Sequence, residues 1–390
     1  MKINSVRNLR DFKGKIIFLR VDFNVPISGG KVREDHKIKA GLETIDYLLS
    51  KGARLIIATH LGNPKKPDCK LSTRPIAARL KTLLRRPVKF SPKIVGAETK
   101  VLIKKIKPGE ALLLENLRFY QGEYTNDSIF AKELASLADI YVNDAFAVCH
   151  RAQASVVAIC KYLPSYAGLL LEKEISALSK IIRPKKPLVV IMGGAKVKTK
   201  APLISKLYPK ADKILLGGAL ANNFFKFQKL EVGKSLVDSD SDAVIKKFFK
   251  NKKIASKIIL PIDVVVKTKT GKTKLVLSGN VQKSEKILDV GPETIAVYAE
   301  HIKKAQTIVW NGPMGKFEED SFKHGTLSIA RLVASRSSGP AHGVIGGGET
   351  VEAFQLTKMS EYMDWISTAG GAMLSYLGGD KMPGIKKLIK

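Results

Sequence analysis

The sequence predicts an α/β protein built from two doubly wound parallel sheets, with helices on both faces of each. Three observations predict this. The chain has 390 residues, more than one ordinary hydrophobic core holds, so two domains are expected. Short apolar runs recur along its length, each closed by glycine or a polar cluster, with helix-patterned stretches between them. Strands that alternate with helices form parallel sheets buried on both faces. Finally, the runs fall into two series, one in each half of the chain.

In the first half the expected strands are Ile16–Val21, Leu55–Thr59, Ala111–Leu114 and Ile140–Val142. In the second they are Leu188–Ile191, Lys213–Leu216, Ile258–Leu260, Thr307–Trp310 and Gly343–Ile345. A helix is expected over 72–84, where Ser72 or Thr73 supplies a cap and Pro75 an early proline. Another is expected from Ser165 to Ile182, closed by Arg183-Pro184. Lying between the two series, it reads as a hinge helix, though an ordinary peripheral helix has the same pattern. The expected division is 1–164 for an N-terminal domain, 165–186 for the hinge helix, 187–370 for a C-terminal domain, and 371–390 for a tail.

Composition is ordinary for a water-exposed globular protein, and no apolar run reaches the length of a membrane span. The first residues lack a signal-peptide core, and Cys69, Cys149 and Cys160 have no disulfide or metal spacing. A cytoplasmic protein is expected. The net charge of +32 allows nucleic acid, an anionic substrate or adaptation to the internal milieu. The lysine and arginine doublets are scattered and lack interleaved aromatics, so solvated surface charge is favoured and nucleic acid is not expected.

The strand ends carry the chemistry. In open parallel sheets, ligands bind outside the carboxyl ends of strands. Asp22-Phe23-Asn24, His60-Leu61-Gly62-Asn63, Glu115-Asn116-Leu117-Arg118 and Asn143-Asp144 each follow a first-half strand. With Lys37 and Arg151 they compose a polar basin in which Arg118, Arg151 and Lys37 neutralise a small polyanion, while Asp22 and Asn24 accept from its hydroxyls. Taken singly, Asp22 fits a turn cap and His60 a satisfied core histidine. In the second half, Met192-Gly193-Gly194-Ala195-Lys196 and Lys200 follow a strand. A glycine turn with two lysines four apart reads as a phosphate grip or, equally, as a solvated lysine pair. Gly346-Gly347-Gly348-Glu349-Thr350, Asn311-Gly312-Pro313 and Ser367-Thr368-Ala369-Gly370 are further glycine turns at strand ends. Together they suggest a nucleotide site, with Glu349 or Thr350 near a magnesium ion.

In family order, these segments resemble phosphoglycerate kinases. The resemblance rests on Arg20-Val21-Asp22-Phe23-Asn24-Val25-Pro26, His60-Leu61-Gly62, Glu115-Asn116-Leu117-Arg118-Phe119, His150-Arg151-Ala152, Gly193-Gly194-Ala195-Lys196-Val197, Asp289-Val290-Gly291-Pro292-Glu293-Thr294, Trp310-Asn311-Gly312-Pro313-Met314-Gly315 and Gly346-Gly347-Gly348. It spans the whole chain. It implies two Rossmann-like domains facing across a cleft, a tail returning to the N-terminal domain, and a cytoplasmic monomer. It also implies reversible phosphoryl transfer between 1,3-bisphosphoglycerate and ADP, giving 3-phosphoglycerate and ATP, in line and with domain closure. The implied substrate residues are Asp22, Asn24, Lys37, His60, Asn63, Arg118 and Arg151. The implied catalytic residues are Lys196, Lys37 and Lys200. For the nucleotide they are Gly194, Lys200, Gly217, Leu288, Asn311, Pro313, Glu318, Gly346, Gly347, Gly348, Glu349 and Thr350, with Mg2+ on Glu349.

The chain departs from the family pattern at several of these positions. Lys37 and Asn63 stand where the family has arginines, Glu349 where it has aspartate, and Ala369 where it has glycine. Lys198 and Thr199 lie between the paired lysines, Gln153 replaces a histidine, and Lys316 replaces a small apolar residue. An active kinase is the leading expectation. The alternative is a non-catalytic nucleotide-binding relative or a basic nucleic-acid-binding scaffold.

Overall fold

The computed structural model describes residues 3–239 and 241–389. Met1, Lys2, Asp240 and Lys390, which the expected domain boundaries take in, lie outside the described residues. The chain divides into two compact units. One runs to Ile175 and is rejoined by the segment from Lys381 onward; the other is Ser176–Asp380.

The sheet of the first unit has strands β1 (Ile16–Val21), β2 (Arg54–Ala58), β3 (Val88–Ser91), β4 (Ala111–Leu114), β5 (Ile140–Asp144) and β6 (Ser165–Ala167). All neighbours are parallel, in the order β3-β4-β2-β1-β5-β6. Side chains alternate across a strand, and here both faces are covered. Leu55 and Ile57 enter one core, and Ile56 and Ala58 the other. Leu113 likewise faces away from Leu112 and Leu114. This two-sided burial is why the runs read as unbroken apolar stretches. Leu113→Ala would cost about 2–5 kcal/mol.

The second unit has β7 (Leu188–Met192), β8 (Lys213–Leu216) and β9 (Ile258–Ile259). An antiparallel trio follows: β10 (Asp263–Lys267), β11 (Thr273–Leu277) and β12 (Lys286–Val290). The main sheet resumes with β13 (Thr307–Asn311), β14 (His342–Gly346) and β15 (Trp365–Ser367). Its parallel order is β9-β8-β7-β13-β14-β15, which reverses direction between β7 and β13. That reversal is the switch point where doubly wound sheets open a crevice for ligands. Each unit is thus a Rossmann-like α/β sheet.

The structure differs from the sequence expectations at the edges. Residues 165–167 pair with β5 as an edge strand, so the helix begins only at Leu169 and runs to Ile182. The unit division falls inside that helix. β3 escapes notice because an edge strand need not be apolar. Its Lys89 reaches out to the Lys105 carbonyl and to Glu110 Oε2. The antiparallel trio is also unanticipated, since lysines interrupt its apolar pattern.

The helix Arg74–Leu84 carries Pro75 in its first turn, but Thr73 does not cap it by side chain. The Thr73 hydroxyl instead donates to the Leu114 carbonyl, and its backbone N–H donates to Glu115 Oε1. At the C-terminus, the expected tail from 371 begins later. Gly370–Gly378 is an apolar helix belonging to the second unit. The segment that rejoins the first unit starts at Lys381. There Gly384 N–H donates to the Cys149 carbonyl at 3.0 Å, and Asn4 N–H to the Leu388 carbonyl at 2.8 Å.

Candidate active site

Three loops meet at the carboxyl ends of β1, β2 and β4 in the first unit. Phe23 N–H donates to Thr59 Oγ1 at 2.9 Å, tying the first loop to the second. The Asn116 amide joins the second and third. Its Oδ1 accepts from Leu61 N–H and Arg118 N–H, and its Nδ2 donates to the Leu61 and Leu71 carbonyls. Asn24 Oδ1 accepts from Gly62 N–H at 2.9 Å.

The side chains held this way are mostly charged. Lys37, in the first turn of the helix His36–Ser50, places Nζ 2.9 Å from Asp22 Oδ2. Burial alone would raise the Asp22 pKa, but the opposing influences, led by the charge and hydrogen bond of Lys37, outweigh it, so the carboxylate lies below its ordinary range and stays ionised. His60 Nδ1 lies 3.3 Å from Arg20 Nη2 and 3.8 Å from Asp22 Oδ1. Burial pushes the imidazole well below its ordinary pKa, and the cations Arg20, Arg118 and Lys37 act in the same sense against Asp22. His60 is therefore neutral. With an arginine N–H facing Nδ1, that nitrogen accepts, and the proton sits on Nε2.

Arg20 is wholly buried. It donates from Nε to Ser155 Oγ at 2.9 Å and lies 3.9 Å from the equally buried Glu123 carboxylate. Glu123 in turn accepts from the Ser155 hydroxyl and backbone N–H. A charge pair this deep needs such extra bonds to offset its desolvation.

Arg118 donates from Nη1 to the Gly62 carbonyl at 2.6 Å, and its guanidinium carbon stands 5.6 Å from the Tyr124 ring centre. Its Nε and Nη2 are buried without a hydrogen-bond partner. Burial, with Arg151 and Arg20 nearby, lowers its pKa to about 10. Arg151 is exposed and donates from Nε to His150 Nε2, and Asn63 is exposed beside Gly62.

In the second unit, the glycine loops gather at the switch point. A Cβ on Gly193 would lie 1.9 Å from the Pro313 carbonyl oxygen, so only glycine lets these two loops lie backbone to backbone. Gly194 N–H donates to that same oxygen at 3.0 Å. Lys196 occupies the cap position of the helix Val197–Leu207 and is exposed; Lys200 lies in its first turn and is buried. The pair therefore divides between loop and helix. Burial lowers Lys200 to about 8, against the opposing pull of Glu349.

Beside these loops lies a cavity of 850 Å³. Of the residues implied for the nucleotide, Gly194, Leu288, Pro313, Glu318 and Glu349 line it. Lys200, Gly217, Asn311, Gly346, Gly347, Gly348 and Thr350 do not line it, and two of them tie neighbouring loops together. Asn311 donates from Nδ2 to the Gly346 carbonyl, and Thr350 Oγ1 accepts from Gly312 N–H, both at 2.6 Å. Thr350 is thus committed to a loop tie, and its hydroxyl is buried away from solvent. Gly217 N–H donates to the Met192 carbonyl, and Gly347 adopts φ 102° just before the helix Gly348–Gln355.

Among the described residues, no three His, Cys, Asp or Glu side chains stand together as a metal site. Exposed Glu349 offers a single carboxylate. This fits an ion such as magnesium, which takes one or two carboxylates and completes its shell with phosphate and water.

Sequence reasoning missed the Arg20–Ser155–Glu123 network, and it missed Asn222, Phe225, Leu236 and Asp289 in the cavity wall. Asp289 accepts from Gly325 N–H at 2.7 Å and Val290 N–H at 2.9 Å, and burial raises it to about 7. One available signal was Asn222-Asn223 inside the apolar stretch Leu220–Phe225, since amides on a buried helix face need partners.

Two Rossmann-like units, one holding a cationic basin and the other a glycine-walled cavity, define an enzyme that handles anions and nucleotides. The phosphoglycerate kinase family profile matches residues 6–380. The chain is 40% identical over 401 residues to the phosphoglycerate kinase of Wolbachia from Drosophila simulans, covering 100% of this chain and 99% of that one. It is 43% identical over 399 residues to that of Koribacter versatilis, with 98% of each covered. Among solved structures, phosphoglycerate kinase from Coxiella burnetii matches with TM-score 0.86 and 38% identity over 99% of each chain. That from Pyrococcus horikoshii matches with TM-score 0.85 and 33% identity, over 99% of this chain and 98% of the other.

The chain belongs to the phosphoglycerate kinase family. It is an enzyme, a phosphotransferase with phosphoglycerate kinase activity in glycolysis. Nothing in these comparisons supports a non-catalytic or nucleic-acid-binding alternative. Among the described residues, no helix is long and apolar enough to cross a membrane.

Proposed function

We propose that the basin of the first unit binds 3-phosphoglycerate or 1,3-bisphosphoglycerate, and that the cavity of the second binds ATP or ADP. The observation that carries the first assignment is Arg118. Its two unpaired buried nitrogens, with Arg151 and Arg20 close by, form a cationic cluster that an anion relieves. Arg118, Arg151 and His60 Nε2–H then hold the substrate's anionic ends. Asn24 and Asp22 shape the pocket, and Lys37 supplies a cation beside them. Asn63 is assigned to its rim.

In the forward glycolytic direction, an oxygen of the ADP β-phosphate attacks the acyl phosphate phosphorus. The P–O bond to the acyl carboxylate breaks, and its electron pair remains on 3-phosphoglycerate as carboxylate. No protein nucleophile or general base is needed, so this chain's part is positioning and charge stabilisation. Lys196 stabilises the transferring phosphoryl, and Lys200 grips a nucleotide phosphate. The amides around Gly346, Gly347 and Gly348 point at phosphate, while Gly194, Gly217, Leu288, Asn311, Pro313 and Glu318 form or back the adenosine pocket. Magnesium, when bound with the nucleotide, neutralises phosphate charge, and Glu349 is its protein ligand. Glu349→Asp should then raise activity with magnesium relative to manganese, and an unchanged ratio would remove Glu349 from the metal shell.

The deciding experiment is a coupled assay with 3-phosphoglycerate and Mg-ATP. Turnover that depends on both substrates, with a KM for 3-phosphoglycerate raised in Arg118→Ala, supports the assignment; an unaltered KM in that variant sinks it. We also infer a monomer, as the family resemblance implies, and a cytoplasmic location, which three free cysteines suit. Light scattering and cell fractionation test these two points.

A further inference from the structure

Tyr124 ends the short helix Gln121–Tyr124, and its side chain joins two parts of the first unit's basin. Its hydroxyl donates to the Pro64 carbonyl at 3.0 Å. Its ring faces the Arg118 guanidinium, with Cζ 5.6 Å from the ring centre. Arg118 itself donates from Nη1 to the Gly62 carbonyl at 2.6 Å. The carbonyls on both sides of Asn63 are therefore held, one by Arg118 and the other by Tyr124. Ring, guanidinium and loop form one closed circuit.

Arg118 has little else to fix it. Among the described residues its side chain makes that single hydrogen bond, and the like charges of Arg151 and Arg20 oppose its own. A guanidinium carries its N–H donors in its plane and none on its faces. An aromatic ring on one face attracts the cation through its quadrupole and uses up no donor. The backbone that carries the ring is fixed by its neighbour. Glu123 is fully buried and accepts from the Ser155 hydroxyl and N–H, and its carbonyl accepts from Ala154 N–H at 3.1 Å. With its hydroxyl tied to Pro64, the ring is held at both ends.

We propose that Tyr124 is a positioning residue whose ring holds the Arg118 guanidinium in the orientation that meets the substrate's anionic group. This rests on reading Arg118 as a substrate residue. A cation already oriented loses less freedom when the anion binds. The effect of Tyr124 passes through Arg118 alone.

The test is a double-mutant cycle on KM for 3-phosphoglycerate. Tyr124→Leu keeps an apolar side chain and removes the ring and its hydroxyl. It should raise that KM by about threefold to tenfold, the size of one cation–π contact, and leave the KM for ATP unchanged. Tyr124→Phe keeps the ring and should recover most of the loss. In the Arg118→Ala background, Tyr124→Leu should add nothing. An equal rise in KM with and without Arg118 overturns the proposal, because a merely structural role acts in both backgrounds. An unaltered KM in Tyr124→Leu overturns it too, as does a Tyr124→Phe variant as impaired as Tyr124→Leu. If Tyr124→Leu does not fold, pentafluorophenylalanine at position 124 is compared with Tyr124→Phe. The ring keeps its shape while its quadrupole is reversed, so KM should again rise, and parity overturns the proposal. The reading beneath it fails separately. A parent-like KM in Arg118→Ala removes Arg118 from the substrate site and takes the proposal with it, whereas a raised KM there with an additive cycle removes only Tyr124.

Discussion

The site of the first unit is assembled from charged side chains, and that of the second from backbone. In the first, Arg20, Lys37, Asp22 and Glu123 are paired within the protein, and Arg118 keeps two donors unpaired. In the second, Gly193, Gly194 and Pro313 meet main chain to main chain, and Asn311 and Thr350 brace the loops beside the cavity. The contrast suits the two ligands. A small polyanion is recognised by fixed cations, while a nucleotide needs amides for its phosphates and a slot for its base. It also means the two sites should fail in different ways.

The largest effect is expected at Lys196. As an exposed cation at the start of the helix Val197–Leu207, it should act mainly in the transition state. Lys196→Ala should lower kcat by about 100- to 1,000-fold, the range seen when one such stabilising group is removed. ADP affinity should survive. Separate measurement of kcat and of ADP binding decides, since an equal loss of affinity would make Lys196 a ground-state phosphate grip.

Arg118→Ala should come next. Losing charge-assisted bonds costs about 1.5–3 kcal/mol, or roughly one to two decades. The loss should appear in KM for 3-phosphoglycerate and leave KM for ATP alone. A parallel rise in both would break the division of labour between the units.

Lys37 tests how far its point charge replaces a guanidinium fork. Its ammonium is already engaged by Asp22. Lys37→Ala should lower kcat by about one decade or more, because the charge is lost and Asp22 loses its partner. Lys37→Arg should raise kcat modestly, since an arginine can bridge two oxygens. Steady-state kinetics of both variants check this, and parent-like kinetics in Lys37→Ala would remove the residue from the reaction.

The smallest effect lies in stability against pH, and its sign should be opposite in the two sites. His60 is held well below its ordinary 6.5 by burial. The unfolded chain therefore binds that proton first, and stability is lost as pH falls from 6.5. Asp289 is raised by burial from 3.8 to about 7. The unfolded chain therefore releases that proton first, and stability is lost as pH rises through this interval. Denaturant titrations across pH should show His60→Gln flattening the loss of stability below pH 6.5 and Asp289→Asn flattening the loss as pH rises toward 7. Identical slopes in parent and variants would mean neither group carries the dependence.

Much of this was legible in the sequence. The central strands β1, β2, β4, β7, β8 and β13 announce themselves because both faces are buried, which makes each an unbroken apolar run. The glycines announce themselves because loops that pass backbone to backbone tolerate no Cβ. The polar residues after each run could be read as a basin because parallel strands deliver their carboxyl ends to one edge. Edge strands β3 and β6 and the trio β10 to β12 were hidden, since a strand with one free side or face keeps polar residues.

What only the tertiary structure decided is which polar atoms are already spoken for. From sequence, Thr350 and Asn311 were as good ligands as Glu349, yet the first two are consumed by loop ties. Arg20, which the sequence shows only as the start of a signature segment, is buried against Glu123 and Ser155, residues far along the chain. Local periodicity and turn chemistry are properties of neighbouring residues, so the chain displays them directly. Hydrogen-bond partners and desolvation are set by residues distant in sequence, and they exist only once the strands have paired.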